Sequence, residues 1–169
     1  MRYPRAMYTI DGHDQVRELT DFPQQDVGAP LPLVFAPEQS FALVYYLNGR
    51  PERFALVEFE SVLPHYFGGP NDEALGGHPL YERGLGRYGV YEVFNSSWLR
   101  TMERMNRVHP SHSPAMFEDY RHFIFTLHDT PLELLATGVR NVAIFDATTH
   151  DRMVELAKTA DAGKRSWIE

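Results

Sequence analysis

The segment FALVYYLNGRPERFALVEF, residues 41–59, decides the fold more than any other part of the sequence. Phe41–Leu47 is apolar on both of its alternating faces, which is typical of a strand buried inside a sheet. Asn48-Gly49 follows at once and is the strongest short signal for a tight turn between antiparallel strands. Residues 53–59 are apolar again, so the sequence predicts a β-hairpin with a central strand.

Further strands and helices are predicted on both sides of this hairpin. Apolar runs predict strands at residues 31–36, 90–94, 121–128, 132–137 and 142–145, of which 121–128 and 132–137 form a second hairpin. Ser96, with Asn95 before it, offers an N-cap for a helix to about Val108, and Thr148 caps a final helix. Ser113-Pro114 opens a short helix to about Tyr120.

These elements predict an α+β fold, with a mostly antiparallel sheet built from the two hairpins and two main helices packed on one face. The length of 169 residues favours a single α+β domain spanning residues 1–169. Within it, residues 1–30 are polar and contain several prolines and glycines, so they predict an irregular N-terminal arm.

The composition excludes several classes of protein. Aromatic residues make up 13% of the chain, which gives ample apolar surface to bury and argues against disorder. The net charge of −7 disfavours a nucleic-acid partner, and no apolar run is long enough for a membrane helix. There is no cysteine, which excludes disulfides and cysteine metal sites and favours the cytoplasm. The expected partner is a protein or a small molecule.

The segment 68–89 contains seven glycines and shows neither helical nor strand periodicity. Irregular segments of this length inside a domain are usually functional or mobile. It carries Asn71, Asp72, Glu73 and His78, and carboxylates beside an imidazole are what general acid–base chemistry needs. The competing interpretation is a surface loop with solvated charges, since no phosphate-binding motif is present.

The eight histidines raise the question of a metal site. His109 and His112 flank a turn bent by Pro110, and they could converge on one ion if Asp72, Glu73 or His78 supplied a third ligand. No metal-binding motif accompanies them, so neither a metal nor another cofactor is expected. The competing interpretation is a polar turn that its prolines stiffen.

Three polar residues in the second hairpin raise separate expectations. His122 and His128 share one face of a predicted strand about 20 Å apart, too far to bind one metal ion. We expect them on a half-solvated face with Thr126. Glu133 lies within an apolar strand, so it is either exposed or paired, and Arg121 is a candidate partner.

The residue pattern between positions 67 and 136 is similar to that of a known protein family. The matching pieces are Pro70-Asn-Asp-Glu73, Gly77-His-Pro-Leu80, residues 88–98 (YGVYEVFNSSW), Asn106 with His109-Pro-Ser-His112, and residues 121–129 (RHFIFTLHD). In these pieces the chain resembles a bacterial family of proteins of unknown function. The resemblance implies a small bacterial protein, and it implies no activity, ligand or partner.

Two functional hypotheses follow, and the sequence leaves the function itself unknown. The preferred one is a non-catalytic interaction or regulatory module in the cytoplasm, which would use a sheet face or an aromatic patch. The patch would be formed by Tyr45, Tyr46, Tyr66, Tyr88 and Tyr91. The alternative is a ligand-binding protein or an enzyme with a polar cleft between the 68–89 and 109–114 loops. Its site residues would be Asn71, Asp72, Glu73, His78, Asn106, His109 and His112.

Overall fold

The computed structural model describes residues 9–28, 32–37 and 40–146, together with positions 151, 154 and 155. Within residues 9–146, these ranges contain nine strands and one α-helix. The strands are β1 (Gln15–Glu18), β2 (Leu33–Phe35), β3 (Phe41–Leu47), β4 (Arg50–Glu60), β5 (His65–Phe67), β6 (Val90–Phe94), β7 (Arg121–Phe125), β8 (Leu132–Ala136) and β9 (Gly138–Asp146). The helix α1 is Ser97–Asn106, and short 3₁₀ turns occupy Leu75–Gly77, Tyr81–Arg83 and Pro114–Phe117.

The nine strands form two antiparallel sheets. The first sheet has the order β1-β6-β7-β8-β5, and the second has the order β2-β3-β4-β9. The two predicted hairpins are confirmed. In one, Leu47 lies opposite Arg50 across the Asn48-Gly49 turn, and in the other Phe125 lies opposite Leu132. They belong to different sheets, so the expectation of a single sheet built from both is wrong.

The main core lies between the two sheets. It is formed by the buried side chains Phe41, Leu43, Tyr45, Leu47, Ala55, Val57 and Phe59 of the second sheet and by Val90, Phe123, Phe125, Leu132, Leu134 and Ala136 of the first. Phe59 contacts two rings of the opposite sheet, with centroid distances of 6.0 Å to Phe123 and 5.8 Å to Phe125. A strand that is apolar on both faces needs a cover on each side, and this core covers one side of both hairpins.

The other face of the first sheet is covered by α1 and by the glycine-rich segment, which we define as residues 68–89. The buried side chains of this layer are Leu75, Leu80, Leu85, Tyr91, Val93, Trp98, Ile124 and Leu135. Three of them come from the glycine-rich segment, which is therefore packed on the sheet and anchored by leucines. This packing brings the polar residues of the segment next to the end of β7.

The predicted α+β class is wrong, because the protein is mostly antiparallel β. Of the two predicted main helices, the first is α1, capped by Ser96, whose Oγ accepts the N–H of Leu99 at 3.2 Å. The second, residues 148–163, lies outside the described residues except for positions 151, 154 and 155. The helix predicted from Ser113 is only the 3₁₀ turn Pro114–Phe117, because its segment is too short to gain from α-helical propagation. Strand β1 lies in the arm predicted to be irregular.

Candidate functional site

The glycine-rich segment is fixed to the end of β7 by a pair of residues. The N–H of Gly89 donates to Oγ1 of Thr126 at 2.9 Å, and the N–H of Thr126 donates to the carbonyl of Gly89 at 3.0 Å. Gln25 adds a third bond, from its side-chain amide to the carbonyl of Thr126 at 3.0 Å. These bonds set the position of residue 88 relative to residue 128, two positions beyond Thr126.

Two glycines of this segment are required by the close approach of Tyr91. A Cβ at Gly86 would lie 2.6 Å from the Tyr91 hydroxyl oxygen, and a Cβ at Gly89 would lie 2.5 Å from it. Real Cβ atoms do not make such contacts, so a side chain at either position would displace the backbone or the ring. The glycines thus let the segment fold closely over β6.

Two adjacent residues at the other end of the same segment, Arg87 and Tyr88, hold Asp72 in place. Tyr88 donates its hydroxyl to the Asp72 carboxylate, and Arg87 donates its Nε–H to the Asp72 carbonyl at 2.8 Å. Tyr88 adopts a left-handed backbone conformation with φ of 55°, which is uncommon for a residue with a side chain. The Asp72 carboxylate is therefore oriented by a fixed donor.

His128 and Asp129 approach Asp72 from the turn between β7 and β8. Nδ1 of His128 lies 3.7 Å from Oδ2 of Asp72, and Nε2 lies 3.4 Å from Oδ2 of Asp129. Asp129 is left-handed, with φ of 60°, and Thr130 donates its N–H to the His128 carbonyl at 2.7 Å. This tight turn places both side chains at the end of the first sheet.

Asp72, His128 and Asp129 form a cluster with metal-ligand chemistry, which we call the carboxylate–imidazole cluster. One ligand atom from each residue lies within 4.8 Å of those from the other two. Their side chains are 15%, 34% and 50% exposed, so the cluster is closed on the Asp72 side and open to solvent on the Asp129 side. Two buried polar atoms in this turn, Nδ1 of His128 and Oγ1 of Thr130, have no hydrogen-bond partner in the described part of the chain.

The protonation states in the cluster suit a cation. The hydrogen bond from Tyr88 holds the pKa of Asp72 below its ordinary value, although partial burial acts to raise it. Electrostatic attraction to His128 also lowers this pKa. The same bond raises the pKa of Tyr88. At neutral pH, Asp72 is therefore a carboxylate and Tyr88 a neutral donor.

A second polar group, buried beneath the glycine-rich segment, is centred on Glu133. Oε1 of Glu133 lies 2.8 Å from Nε2 of His78, and Oε2 lies 3.2 Å from Nε2 of His122. Nδ1 of His78 accepts the N–H of Leu80 at 3.1 Å, so the proton of this imidazole is on Nε2 and is donated to Glu133. All three side chains are at most 6% exposed.

The Glu133 group ties the structure together. Burial acts to raise the pKa of Glu133, but the hydrogen bonds from His122 and His78 outweigh it and hold the pKa well below its ordinary value. The group joins β7, β8 and the glycine-rich segment through charge-assisted hydrogen bonds. Because its three side chains are almost inaccessible to solvent, the group acts mainly to fix the segment on the sheet.

The structure places the seven predicted site residues in separate parts of the fold. Asp72 belongs to the carboxylate–imidazole cluster, and its neighbour Asn71 accepts the N–H of Ala74 at 3.0 Å. Glu73 is exposed, and His78 is buried against Glu133. The other three, Asn106, His109 and His112, lie at the C-terminal end of α1 and in the loop that follows it.

The loop group makes its contacts within itself and with α1. Nδ1 of His112 lies 3.0 Å from Oδ1 of Asn106, and its Nε2 lies 3.1 Å from Oε1 of Glu103. Nδ1 of His109 accepts the N–H of Ser111 at 3.1 Å, and the imidazole is exposed. No hydrogen bond or ion pair among the described residues joins this loop group to Asp72, Glu73 or His78.

Sequence reasoning missed the most informative members of the cluster. It placed His128 within a long strand, whereas β7 ends at Phe125 and His128 belongs to a turn. His122 and Thr126, expected on a half-solvated face, are 0% and 2% exposed. The dipeptide His128-Asp129, three residues beyond the end of a buried strand, was the signal available for the site, because a turn after a strand presents such side chains together.

The structure also decides two expectations, one about an ion pair and one about an aromatic patch. Arg121 pairs with Glu92, its Nε lying 2.8 Å from Oε1, and not with Glu133. The five tyrosines are dispersed, because Tyr45 is buried between the sheets and Tyr91 beneath the glycine-rich segment. The aromatic patch expected for an interaction surface is therefore not formed by these five side chains.

Comparisons with models of protein families, with curated proteins and with solved structures find no match to this chain. The resemblance seen in the sequence therefore stays a prediction. None of the helices in the described residues is both long and apolar enough to span a bilayer.

Proposed function

We propose that this protein binds a divalent metal ion through the carboxylate–imidazole cluster of Asp72, His128 and Asp129. The observation that carries the proposal is the convergence of three ligand atoms, from two distant parts of the chain, within 4.8 Å of one another. Ligand atoms about 2.1 Å from one ion are at most about 4.2 Å apart, so binding needs only a small closing movement. This proposal departs from the expectation of no metal, which was drawn from the absence of a sequence motif.

The donor set indicates the class of ion. Imidazole favours Zn²⁺ and other transition metals, whereas carboxylates alone favour Mg²⁺ and Ca²⁺. One imidazole with two carboxylates suits Zn²⁺ or Mn²⁺ best. The Asp129 side chain is half exposed, and this open side leaves room for water or for a group of a further ligand.

The surroundings of the cluster support preorganised binding. The Tyr88 hydroxyl orients the Asp72 carboxylate, and the pairing of Gly89 with Thr126 fixes the two chain segments relative to each other. Groups that orient a metal ligand in this way raise the affinity for the ion, because the ligand loses less conformational entropy when the ion binds. The two buried polar atoms without partners, on His128 and Thr130, lie in the same turn.

The test is calorimetric titration of chelator-treated protein with Zn²⁺, Mn²⁺ and Mg²⁺. We expect one Zn²⁺ or Mn²⁺ per chain, and weakening by about tenfold or more in Asp72→Asn and in His128→Gln. Asp21→Asn and His109→Gln change an exposed carboxylate and an exposed imidazole away from the cluster and should bind as the wild type does. If the wild type binds neither ion, or if the control variants lose as much affinity, the proposal is wrong.

A second candidate function, an interaction module, is favoured by one observation. Val142 and Ile144 are 38% and 44% exposed on β9, which is at the edge of the second sheet among the described strands. Edge strands with apolar side chains pair readily with other strands, and the simplest partner is a second copy of this chain. A concentration series in the ultracentrifuge tests this, with Val142→Ser/Ile144→Ser as the comparison. A monomer at all concentrations contradicts it.

The setting that we propose for either function is the cytoplasm, without nucleic acid or membrane as partner. The absence of cysteine supports a reducing compartment, and the net charge of −7 opposes binding to phosphate backbones. Measuring the distribution of the tagged protein between cell fractions tests the location.

A further inference from the structure

A groove opens where the ends of the two sheets meet, away from the carboxylate–imidazole cluster. Its volume is about 440 Å³, and it is lined by residues from β3, β4, β5, β9, the β4–β5 connection and the connection between β2 and β3. The lining residues used below are Phe41, Phe59, Ser61, Val62, Leu63, His65 and Arg140. This volume lies in the range of small-molecule sites, about 300–1,000 Å³.

Arg140 enters the groove because the strand pairing is irregular there. Asn141 pairs with Glu58 and Val139 pairs with Phe59, so Arg140 is the extra residue of a β-bulge. Bulges turn a side chain away from its regular direction and often occur beside binding sites. The guanidinium Nε lies 3.6 Å from Oε1 of Glu60, which is longer than a charge-assisted hydrogen bond. This loose pair leaves the cation able to bind an anion in the groove.

Ser61, on the same side of the groove, has an unusual backbone. It follows β4 directly and adopts φ of 45°, a left-handed conformation that side chains other than those of Asn and Asp rarely take. Such strained residues concentrate at ligand sites, where the surrounding structure holds them. The strain at Ser61 and the bulge at Arg140 are independent irregularities, and both line the groove.

His65 forms a further wall, next to two phenyl rings that are nearly buried, those of Phe41 (3% exposed) and Phe59 (2% exposed). The ring of His65 packs against Phe41 with centroids 4.8 Å apart and planes at 65°, and Phe41 contacts Phe59 with centroids 5.8 Å apart. Partial burial lowers the pKa of His65, so at neutral pH the ring is an uncharged hydrogen-bonding group. The groove thus combines one cation and neutral polar groups with the side chains of Val62 and Leu63, the latter 37% exposed.

We propose that this groove binds a small organic anion consisting of a carboxylate attached to a ring-sized apolar body. Arg140 pairs with the carboxylate, Ser61 and His65 supply hydrogen bonds, and Val62 and Leu63 contact the apolar body. The site uses no residue of the metal cluster, so it stands or falls independently of the proposed metal binding.

The probes are benzoate and phenylacetate, with benzamide as an uncharged compound of matched shape. Each is added to the isotope-labelled full-length protein and followed by amide chemical shifts. We expect saturable shifts around residues 61, 65 and 140 with the two carboxylates at concentrations up to about 10 mM, the range for ligands of this size. Benzamide should give at least about tenfold weaker shifts, because it lacks the charge that pairs with Arg140.

Three variants decide the outcome. Arg140→Gln should weaken benzoate binding by about tenfold or more, whereas Arg50→Gln, an exposed arginine on the adjacent strand, should leave it unchanged. Arg140→Lys keeps the charge and the fold and should bind with intermediate affinity, because it loses the forked geometry. Absence of saturable shifts in the wild type, or equal binding by Arg140→Gln, overturns the proposal.

Discussion

Ser96 joins the start of α1 to the buried imidazole of His122, since its Oγ lies 2.9 Å from Nδ1 of that ring. The same oxygen accepts the N–H of Leu99 and caps the helix. The next residue, Ser97, is also buried, but its Oγ has no hydrogen-bond partner within the described residues. Two adjacent serines of equal size therefore differ in what they stabilise.

This difference predicts that two alanine substitutions affect the stability of the protein differently. Ser96→Ala should lower the free energy of unfolding by about 1–3 kcal/mol, because it removes both a helix cap and a hydrogen bond to a buried imidazole. Ser97→Ala should change it by less than about 0.5 kcal/mol or raise it, since an unpaired buried hydroxyl is lost. Urea denaturation measures both, and equal losses would contradict the assigned contacts.

Glu133 predicts a dependence of stability on pH. The pKa of Glu133 is lowered in the folded protein, because the hydrogen bonds from His122 and His78 outweigh the opposing effect of burial. Its contribution is therefore complete above the pKa of an unfolded glutamate, about 4.3, and is lost progressively as the pH falls below that value. We expect the free energy of unfolding to decrease on acidification from about pH 5, where the unfolded chain binds more protons than the folded one.

The part of this dependence due to Glu133 is measurable directly. Carbon NMR of the labelled side chain should show the carboxyl of Glu133 still ionised at a pH where exposed glutamates have taken up a proton. In Glu133→Gln the slope of stability against pH should be shallower below pH 5 or so. A carboxyl that titrates together with the exposed glutamates would contradict the prediction.

The contact of Gly86 with Tyr91 predicts a rescue. Gly86→Ala should cost about 1–3 kcal/mol, because its Cβ would meet the Tyr91 hydroxyl at 2.6 Å. Removing that oxygen in Tyr91→Phe leaves Cζ as the nearest ring atom, 3.5 Å away, an ordinary contact. The cost of Gly86→Ala should therefore fall by at least about 1 kcal/mol in the Tyr91→Phe background.

Gly89 provides the matched control for this double-mutant cycle. A Cβ there would lie 2.7 Å from Cζ and 2.8 Å from Cε2 of Tyr91, so removing the hydroxyl does not relieve the clash. Gly89→Ala should cost a similar amount in both backgrounds. Rescue of both alanine variants by Tyr91→Phe, or of neither, would contradict the described packing.

Tyr88 predicts an effect on metal affinity without being a ligand itself. Tyr88→Phe removes the largest cause of the lowered pKa of Asp72, so that pKa should rise toward its ordinary value. Zn²⁺ affinity should fall by about tenfold, and the loss should be greatest at acidic pH, where protons compete with the ion for the Asp72 carboxylate. Tyr66→Phe, which removes a hydroxyl donated to the Gly69 carbonyl, is the control and should bind normally.

Local signals predicted the hairpins correctly, whereas the pairing of elements across the fold escaped them. The Asn48-Gly49 turn and the apolar run of residues 53–59 are signals that act within a few positions, so the first hairpin can be predicted from the sequence. Whether two hairpins share one sheet or face each other depends on packing between residues such as Phe59 and Phe123. The prediction of one sheet failed on that tertiary choice, and strand β1 was hidden in a polar segment.

The candidate site was predictable to the same degree. Asp72 was identified because carboxylates in a glycine-rich segment are a local signal. Its partner His128 was not, since the predicted strand continued three residues beyond Phe125 and placed the imidazole elsewhere. Glu133 and His78 are 55 residues apart in the chain, and no spacing rule links them. Both residues are buried because the glycine-rich segment packs on the sheet, and no local pattern in the sequence indicates that packing.

The pairing of β4 with β9 has a consequence for synthesis of the chain. Asn141 donates to Glu58 across this pair, although 83 residues separate them. At translation rates of about 5–20 residues per second, β4 waits roughly 4–17 s for its neighbour to leave the ribosome. During that interval an eleven-residue strand has one uncovered edge, to which strands of other nascent chains can bind. We therefore expect chains that end before residue 138 to aggregate more readily than the full-length chain, because they lack the strand that covers this edge.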